Sequence, residues 1–466
     1  MNILIKNAFI ITMDKENTVL ENGEIFIEGS RIKTISQNIS TDGLSVNKVI
    51  DAGGKVVMPG LINGHNHYEQ SFMKGVTRLF TGGTASWIKN FKIPITKAMT
   101  KEDYYYSNML TSLELISNGV TCSVNSICQQ DPVKMMEFGV ERAVKAVEET
   151  GVRTLLAVGV ADKFEPEEFL VDTDKARDIV ESSIQQWNHR ANDRIRVWAG
   201  PAGVFSASGK LWKAIKQVVD KYNVGIHTHV GSFQIGEVEE AREYGFLGPN
   251  VTGAHCVWLS PTDIRIMADV GMKVVHNPTY KLSYAVDGNV NKFGDGIAPI
   301  TELQNSGVTV GLGQDGCMGD TQDLFKEMRC LVFTQHYKML DKSLFSPTRL
   351  LEMVTIDCAK TMLWDDEIGS LEPGKKADLI IINDQNINFY PKLNQFVNLV
   401  YMGSGYDVED VIIDGNIVME NRKILTVDAD KVKEGAQKAF TELIERAGFS
   451  HMKKMSWSPW SAKIIN

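Results

Sequence analysis

The amino-acid sequence predicts an α/β protein, a (β/α)8 TIM barrel with a small composite β-sandwich domain made from the N- and C-terminal segments. Two observations predict the barrel: eight short apolar runs in the middle of the chain, and a helical pattern after most of them. A third predicts the accessory domain, because β-like segments with turn residues occur at both ends. The 466 residues suffice for one barrel and one further domain.

The apolar runs indicate parallel strands. They are separated by amphipathic helical patterns, and Ser260 opens one of these with the N-cap sequence SPTD. Parallel strands covered by helices on both faces are apolar throughout, and eight strand–helix units suggest a closed barrel. The runs occupy residues 56–64, 119–126, 151–160, 195–203, 224–230, 250–257, 272–278 and 308–315.

The two ends of the chain resemble each other more than they resemble the middle. Residues 2–13 and 22–37 are rich in Ile, Val and Phe with Asn-Gly and Gly-Ser turns, and residues 369–384 and 408–423 repeat this pattern. We therefore predict that terminal strands pair beside the barrel. The predicted ranges are 1–55 and 366–426 for the two parts of the β-sandwich, 56–365 for the barrel, and 427–466 for a C-terminal helix and tail.

Composition and charge limit the possible partners. Forty-nine basic against 58 acidic residues give a net charge of −9, which provides no basic surface for nucleic acid or an anionic membrane. No apolar run approaches the roughly 20 residues of a membrane span, and the N-terminus lacks a signal-peptide pattern. The six cysteines form no CxxC pair. These features predict a cytoplasmic protein that acts on a small molecule, with no nucleic-acid or membrane partner.

Histidine placement is the unusual feature. Of nine histidines, His65 and His67 follow the first run in the sequence GLINGHNH, where their spacing puts both rings on one side of an extended chain. His229 lies at the end of the fifth run and His255 at the end of the sixth, while Asp315 ends the eighth. Because the C-terminal ends of barrel strands surround the active site, these side chains are expected to converge.

Imidazoles with one carboxylate suit zinc, and also Fe(II), with a position left open for water. The predicted cofactor is one divalent metal ion, Zn²⁺ in the first place and Fe²⁺ as the alternative. Asp315 can accept the proton of the attacking water, and His255 can orient that water or stabilise developing charge without being a ligand. The predicted reaction is hydrolytic attack on an electrophilic carbon.

Several stretches together resemble the amidohydrolase superfamily, in the branch that holds S-adenosylhomocysteine and methylthioadenosine deaminases, guanine-type deaminases and triazine hydrolases. The stretches include MPGLINGHNH, WIKNFKIP, GFLGPNVTGAHCVWLS, HNPTYKL, VTVGLGQDG and IGSLEPGKKADLIIIND. The resemblance implies a mononuclear metal site with a catalytic histidine, a structural HNP histidine and a homodimer or higher homo-oligomer. Its implied ligands are His65, His67, His229 and Asp315, its catalytic histidine is His255, and its HNP histidine is His276.

One position departs from the family. Deaminases of this branch carry a glutamate three residues after the fifth-strand histidine, whereas this chain has Ser232, whose hydroxyl does not titrate near neutral pH. Glu237 and Glu239 fit better in the exposed first turn of a helix, and Gln234 can only form hydrogen bonds.

The resemblance implies a metal-dependent aminohydrolase (deaminase) that releases ammonia from a nitrogen-rich heterocycle or cyclic amidine. Cleavage of another bond, in a cyclic amide or by displacement of halide or alkylamine, is the alternative, and an inactive metal-binding homologue is a second one. Candidate substrate contacts are the Glu69 carboxylate, an aromatic wall from Tyr68 and Trp87, Tyr280 as a residue that narrows the pocket, and Ser232 and Gln234.

Overall fold

The predicted barrel with an accessory sheet is confirmed. The computed structural model describes residues 1–75, 88–232, 235–283, 296–316 and 320–454. Eight parallel strands surround a hydrophobic core, and a second sheet is packed from the terminal segments. In the described ranges, no helix is both long and apolar enough to cross a membrane.

The chain begins in the second sheet. β1 pairs antiparallel with β2, which pairs with β3, while β4 and β5 both run parallel to β1. These strands contain the Ile and Val residues whose alternation predicted them, and one face of the sheet buries Ile3, Ile5, Ile25 and Ile27. The strand bounds are β1 Ile3–Ile11, β2 Val19–Glu28, β3 Arg31–Ser36, β4 Lys48–Asp51 and β5 Val56–Pro59.

The next eight strands form the barrel in sequence order, each parallel to its neighbour. Backbone hydrogen bonds from Gly64 N to Leu312 O and from Asp315 N to His65 O, both 2.9 Å, join the first strand to the last. The strands are β6 Leu61–Asn63, β7 Val120–Ile127, β8 Arg153–Val158, β9 Ile195–Ala199, β10 Ile226–Val230, β11 Val251–His255, β12 Lys273–His276 and β13 Val310–Leu312.

Helices cover the outside of the barrel, and several begin at the caps that the sequence contains. Ser260 accepts a hydrogen bond from Asp263 N in a capping box, as the SPTD sequence predicts. The α-helices are α1 Ile93–Ala98, α2 Lys101–Ser117, α3 Pro132–Lys134, α4 Val140–Thr150, α5 Thr173–Trp187, α6 Gly209–Tyr222, α7 Glu237–Tyr244, α8 Pro261–Val270, α9 Pro278–Ser283, α10 Ile300–Asn305, α11 Leu324–Met339, α12 Pro347–Met353 and α13 Ile356–Thr361.

The C-terminal segment returns to the second sheet. Its strands are β14 Leu379–Ile382, β15 Val408–Ile413, β16 Asn416–Glu420 and β17 Lys423–Ile424, and the helices α14 Gln395–Met402 and α15 Ala429–Arg446 accompany them. β14 pairs antiparallel with β5, with Leu379 opposite Pro59. The nine-stranded sheet is therefore built from both ends of the chain, as the repeated β pattern predicts.

The structure differs from the sequence prediction in the first apolar run, residues 56–64. β5 belongs to the second sheet, and only β6 belongs to the barrel. The chain changes sheets at Gly60, where a Cβ atom would lie 2.1 Å from Oγ1 of Thr121. A side chain cannot fit at this crossing, so glycine is required there for steric reasons.

Candidate metal centre

The carboxyl ends of four barrel strands bring together the predicted site residues. His65 and His67 follow β6, His229 lies within β10, His255 ends β11, and Asp315 comes three residues after β13. All of these side chains except the partly exposed His229 are buried. The convergence that the order of the strands predicts is thus present in the fold.

The candidate ligand atoms face one another. Nε2 of His67 lies 3.3 Å from Nε2 of His229 and 3.5 Å from Oδ1 of Asp315. Nε2 of His65 lies 3.6 Å from the same carboxylate oxygen. Ligands held about 2.0–2.1 Å from a tetrahedral metal are separated by roughly 3.3 Å, so these spacings suit one ion.

Backbone carbonyls orient two of the rings. Nδ1 of His67 donates to the Ser126 carbonyl at 2.7 Å, and Nδ1 of His229 donates to the Ala202 carbonyl at 2.6 Å. With the proton on Nδ1, each neutral ring keeps its Nε2 lone pair for a metal. Burial lowers the pKa of His67 well below its usual value, and the nearby Lys92 ammonium acts in the same direction. The ring is therefore neutral, as a metal ligand must be.

A histidine partner orients the third ring. Nδ1 of His65 lies 2.8 Å from Nε2 of His227, the first histidine of the IHTHV strand. Burial lowers the pKa of His227 to about 3, so this ring is neutral and can accept a hydrogen bond from His65. Burial also lowers the pKa of His65, whose Nε2 has no hydrogen-bond partner among the described residues. The HxH spacing could have indicated this positioning role of His227.

His255 has a different environment from the three rings above. As placed, Nδ2 of Asn277 donates to Nδ1 of His255 at 3.0 Å, which leaves the ring proton on Nε2, facing Oδ2 of Asp315 at 3.6 Å. His255 and Asp315 both have left-handed backbone conformations, with φ of 74° and 69°. Such strain in non-glycine residues is concentrated at functional sites. This arrangement suits a residue that donates a proton or a hydrogen bond.

The donor set fits a divalent transition-metal ion. His65, His67 and His229 form one group of candidate ligand atoms within 4.8 Å of one another, and His65, His255 and Asp315 form a second. The buried Nε2 atom of His65, unpartnered within the described ranges, is the type of orphaned acceptor that a metal satisfies. Imidazole nitrogens and a carboxylate are ligands that such ions prefer.

The predicted substrate contacts are only partly brought together. Tyr280 stacks on the His255 ring with centroids 5.3 Å apart, so it adjoins the site. Glu69 and Ser232 are buried beside the strand ends that carry His67 and His229. Tyr68 is instead packed in the barrel core, with its hydroxyl 3.3 Å from Oγ1 of Thr154. Trp87 and Gln234 lie outside the described residues.

Glu237 differs from its predicted exposed position. It begins α7, but its side chain folds back so that Oε2 accepts a hydrogen bond from Gly231 N at 2.7 Å, and it is 1% exposed. Glu239 is exposed as predicted. The reason is the contact with Gly231, six residues earlier, which helix periodicity does not predict. Glu237 therefore holds the turn that contains Ser232.

His276 contacts the site through the backbone. Its Nδ1 lies 3.1 Å from the carbonyl oxygen of His255, to which it donates. This contact holds the end of β11 against β12. It agrees with the structural role that the resemblance implies for His276.

A parallel barrel that gathers imidazoles and a carboxylate at its strand ends defines a class, the metal-dependent barrel hydrolases. The comparison with protein families makes this specific. The sequence model of the amidohydrolase family matches residues 56–418, and the chain belongs to this family.

Relatives of nearly full length support the assignment. The 5-methylthioadenosine/S-adenosylhomocysteine deaminase of Thermoanaerobacter pseudethanolicus is 32% identical over 462 residues, which cover 96% of this chain and 100% of that protein. The 5'-deoxyadenosine deaminase of Methanobrevibacter smithii is 34% identical over 458 residues, which cover 95% and 98%. The predicted resemblance and the class, a hydrolase of C–N bonds other than peptide bonds, are confirmed.

Solved structures share the fold. A zinc-bound adenosine deaminase from Xanthomonas campestris superposes with a TM-score of 0.84 at 20% identity, covering 95% of this chain and 98% of that one. A mutant atrazine chlorohydrolase from Arthrobacter aurescens, complexed with zinc and atraton, gives 0.84 at 21% identity, covering 94% and 100%. Barrel and accessory sheet are therefore shared over almost the whole chain.

Proposed function

We propose that this protein is a zinc-dependent aminohydrolase that replaces an amino group on a nitrogen-rich heterocycle or cyclic amidine by oxygen and releases ammonia. The observation that carries the proposal is the convergence of His65, His67 and His229 on the Asp315 carboxylate. The names of the deaminase relatives support ammonia as the leaving group. The zinc in the two similar structures supports zinc as the metal.

Each residue has a distinct part in the proposed reaction. His65, His67, His229 and Asp315 would hold the ion, whose chemistry when bound is to lower the pKa of a water molecule. Asp315 would accept a proton from the water molecule whose oxygen attacks the substrate carbon. One water proton then passes to the departing nitrogen, which leaves as ammonia, and the second moves to the ring nitrogen as the oxygen becomes a carbonyl. His255 donates a hydrogen bond from Nε2 to the developing negative charge.

Ser232 affects the proton path. A serine hydroxyl cannot exchange a proton with a ring nitrogen at neutral pH as a carboxylate can. In our proposal, Asp315 and His255 perform the proton transfers that a fifth-strand glutamate performs in relatives. The same observation favours one part of the second candidate function, the displacement of halide, since a halide leaves as an anion without being protonated. Hydrolysis of a cyclic amide and displacement of alkylamine belong to the same candidate but need a protonated leaving group.

The test is a metal and product measurement on purified protein. We expect about one zinc per chain by mass spectrometry of the metal, and ammonia release from at least one member of a panel of aminopurines, aminopyrimidines, pterins, triazines and cyclic guanidines. His67→Asn should lose both. His189→Asn is the matched control, since His189 is exposed and pairs with Asp193. A zinc-loaded protein that releases halide, alkylamine or a ring-opened acid, but no ammonia, would establish the second function.

Homo-oligomerisation and a cytoplasmic location remain predictions. Light scattering of the zinc-loaded protein would measure the first, with a mass of twice 51.9 kDa or a higher multiple expected. Fluorescence microscopy of a tagged chain would measure the second.

A further inference from the structure

A lysine is buried next to the proposed metal centre. Lys92 ends the π-helical turn Ile88–Lys92, which leads into α1, and it is 1% exposed. Its carbonyl accepts a hydrogen bond from Oγ1 of Thr96 at 3.0 Å, which anchors the backbone. A lysine this deeply buried is uncommon, because removing an ammonium from water is costly unless other groups replace the lost solvation.

The contacts of Lys92 replace only part of that solvation. Nζ donates one hydrogen bond, to Oε1 of Gln129 at 3.2 Å, and forms no ion pair with any described residue. The amide of Gln129 in turn donates from Nε2 to Oε1 of Glu165 at 3.2 Å. An ammonium has three N–H donors, so two of them have no acceptor within the described part of the chain.

The position of the ammonium is on the His67 side of the metal centre. The Ser126 carbonyl that orients His67 lies near the end of β7, and the following loop carries Gln129. Gln129 has a left-handed backbone with φ of 55°, which is strained for a residue with a side chain. Burial is the main cause of the lowered pKa of His67, and the Lys92 ammonium is the second cause. The charge of Lys92 is therefore near the His67 ring.

Two buried acceptors face the same region. Oε1 of Glu69 and Oε1 of Gln130 are buried without a hydrogen-bond partner among the residues that the structure describes. Glu69 is 2% exposed and Gln130 is 6% exposed. Burial raises the pKa of Glu69, while the Lys92 ammonium and a hydrogen bond from the Gln130 side chain act against this rise, which places the three side chains in one neighbourhood. The region therefore combines free N–H donors with free oxygen acceptors.

We propose that Lys92 is a specificity-determining residue that donates a hydrogen bond to an exocyclic oxygen of the substrate, while Glu69 and Gln130 accept a ring N–H beside it. The complementary group is the N–H/C=O edge of a lactam. The substrate class is then an amino-substituted heterocycle that also carries an oxo group. This inference rests on the proposed function, because it concerns the ring that the metal centre would hydrolyse.

The pattern of donors and acceptors explains why other ring types fit less well. A ring without an oxo group leaves the Lys92 donors unpaired in a buried site. An unsatisfied buried charge costs more than a lost hydrogen bond at the surface, and hydrogen bonds to charged groups are stronger than those between neutral groups. The expected discrimination from Lys92 alone is therefore about 10- to 100-fold.

The test compares matched pairs of rings on zinc-loaded protein. Isocytosine with 2-aminopyrimidine, guanine with 2-aminopurine, and cytosine with 4-aminopyrimidine differ in the oxo group. We expect the wild type to favour the oxo member in kcat/KM for any pair that it hydrolyses, and Lys92→Met to lower that ratio at least about 10-fold. Lys89→Met is the matched control, because Lys89 is exposed on the same turn and should leave the ratio unchanged.

A binding measurement separates this inference from the proposed function. Uracil and xanthine carry lactam edges but no amino group, so their affinity relative to pyrimidine and purine can be measured by calorimetry without turnover. A preference for the lactams that Lys92→Met removes supports the inference even if no ammonia is ever released. Turnover with the same oxo preference in wild type, Lys92→Met and Lys89→Met would overturn it while the proposed function stands.

A purely structural role of Lys92 can also be distinguished from the proposed role in substrate specificity. Thermal unfolding and zinc content are measured for every variant, and Lys92→Gln, which keeps a donor, replaces Lys92→Met if that variant does not fold. A purely structural lysine would change stability and leave the oxo preference intact in the folded protein. Lys92→Gln is expected to retain part of the preference, since its amide still donates. The proposal is contradicted if Lys92→Gln keeps the full oxo preference in kcat/KM and the wild-type protein shows no preference for lactams in the binding measurement.

Discussion

Buried polar groups occur at both ends of the barrel, and the two clusters differ in how they are satisfied. At the carboxyl ends of the strands, three imidazole nitrogens surround one carboxylate. At the amino end of β8, Arg153 is completely buried and forms a two-pronged contact with Asp378, from Nε to Oδ2 at 2.7 Å and from Nη2 to Oδ1 at 3.1 Å. Lys376 pairs with Asp414 at 2.8 Å beside it.

The cluster around Arg153 connects the barrel to the second sheet. Asp378 directly precedes β14, and Asp414 directly follows β15, whereas Arg153 is the first residue of β8. The backbone N–H of Asp414 also donates to Oδ1 of Asp378 at 2.7 Å. Two cations and two carboxylates thus neutralise one another through direct contacts, which is how a structural buried ion network is satisfied.

The comparison teaches that burial of charge does not by itself indicate function. The Arg153 cluster contains the opposite charges that it needs. In the metal centre, like atoms converge: Nε2 of His67 and Nε2 of His229 lie 3.3 Å apart, and both keep lone pairs. Convergent acceptors are satisfied by a cation from outside the chain. The cluster of convergent nitrogen and oxygen atoms is the one that we propose to bind the metal.

The largest expected effect comes from Asp315→Asn. The amide keeps the shape of the side chain but loses the negative charge and cannot accept the proton of the attacking water. We expect bound zinc to fall and kcat/KM to decrease by at least about 10³-fold, measured by metal analysis and ammonia release. Asp378→Asn is the matched control in the other cluster. It should lower stability and leave zinc content unchanged, and equal zinc loss in both would contradict the division of roles.

Arg153→Met is expected to have the next largest effect. It removes the cation but keeps the apolar stem, and so leaves the Asp378 carboxylate buried without its main partner, while Asp414 keeps Lys376. We expect the free energy of unfolding to fall by about 3–5 kcal/mol in urea denaturation. Folded Arg153→Met should keep its zinc and its kcat, because the cluster lies at the other end of the barrel. A large loss of kcat in folded, zinc-loaded protein would show that the two ends are coupled.

Asn277→Ala tests how His255 is oriented. Without the amide donor, Nδ1 of His255 no longer has the partner that keeps the ring proton on Nε2. We expect kcat to fall about 10- to 100-fold with zinc content and KM nearly unchanged. Asn277→Asp has similar size but presents only acceptors, so it favours the opposite tautomer and should not restore kcat. Recovery in Asn277→Asp would rule out this orientation of the ring.

The smallest effect is a pH dependence that involves His227. The pKa of this ring is about 3 in the fold and about 6.5 in an unfolded chain, so between these values the unfolded state binds more protons. Stability therefore falls as pH decreases from about 6.5 towards 3, by up to about 1.4 kcal/mol per pH unit for this group. In zinc-free protein, His227→Gln should make that slope shallower, measured by urea denaturation across the range. His189→Gln, at an exposed position, should not change it.

Several features could be predicted because they depend on local pattern and on one topological rule. Apolar runs and helical patterns alternate along the chain, and parallel strands force their carboxyl ends to the same edge. For that reason the positions of His65, His229 and Asp315 in the sequence predict their convergence in space. A sheet shared by N- and C-terminal strands was likewise expected from the similar β patterns at the two ends, although β5, which pairs with β14, was predicted to belong to the barrel.

Other features depended on contacts between distant segments. Gly60 divides one apolar run between two sheets because Thr121 occupies the space where a side chain would be. Glu237 is buried and accepts a hydrogen bond from Gly231, and Tyr68 lies in the core with its hydroxyl 3.3 Å from Oγ1 of Thr154. Thr121 and Thr154 are distant in sequence from their partners, and Gly231 is six residues from Glu237, so helix or strand periodicity provides no information about these contacts.

The sequence by itself determined the barrel, the accessory sheet and which histidine and aspartate side chains converge, because hydrophobic periodicity and strand order fix which side chains reach one edge. Tertiary structure alone decided how those residues are oriented and what surrounds them. It placed His227 behind His65, set Asn277 against His255 and buried Lys92 beside His67. Orientation and solvation depend on atoms that come from separate segments, and these atoms become neighbours only when the chain folds.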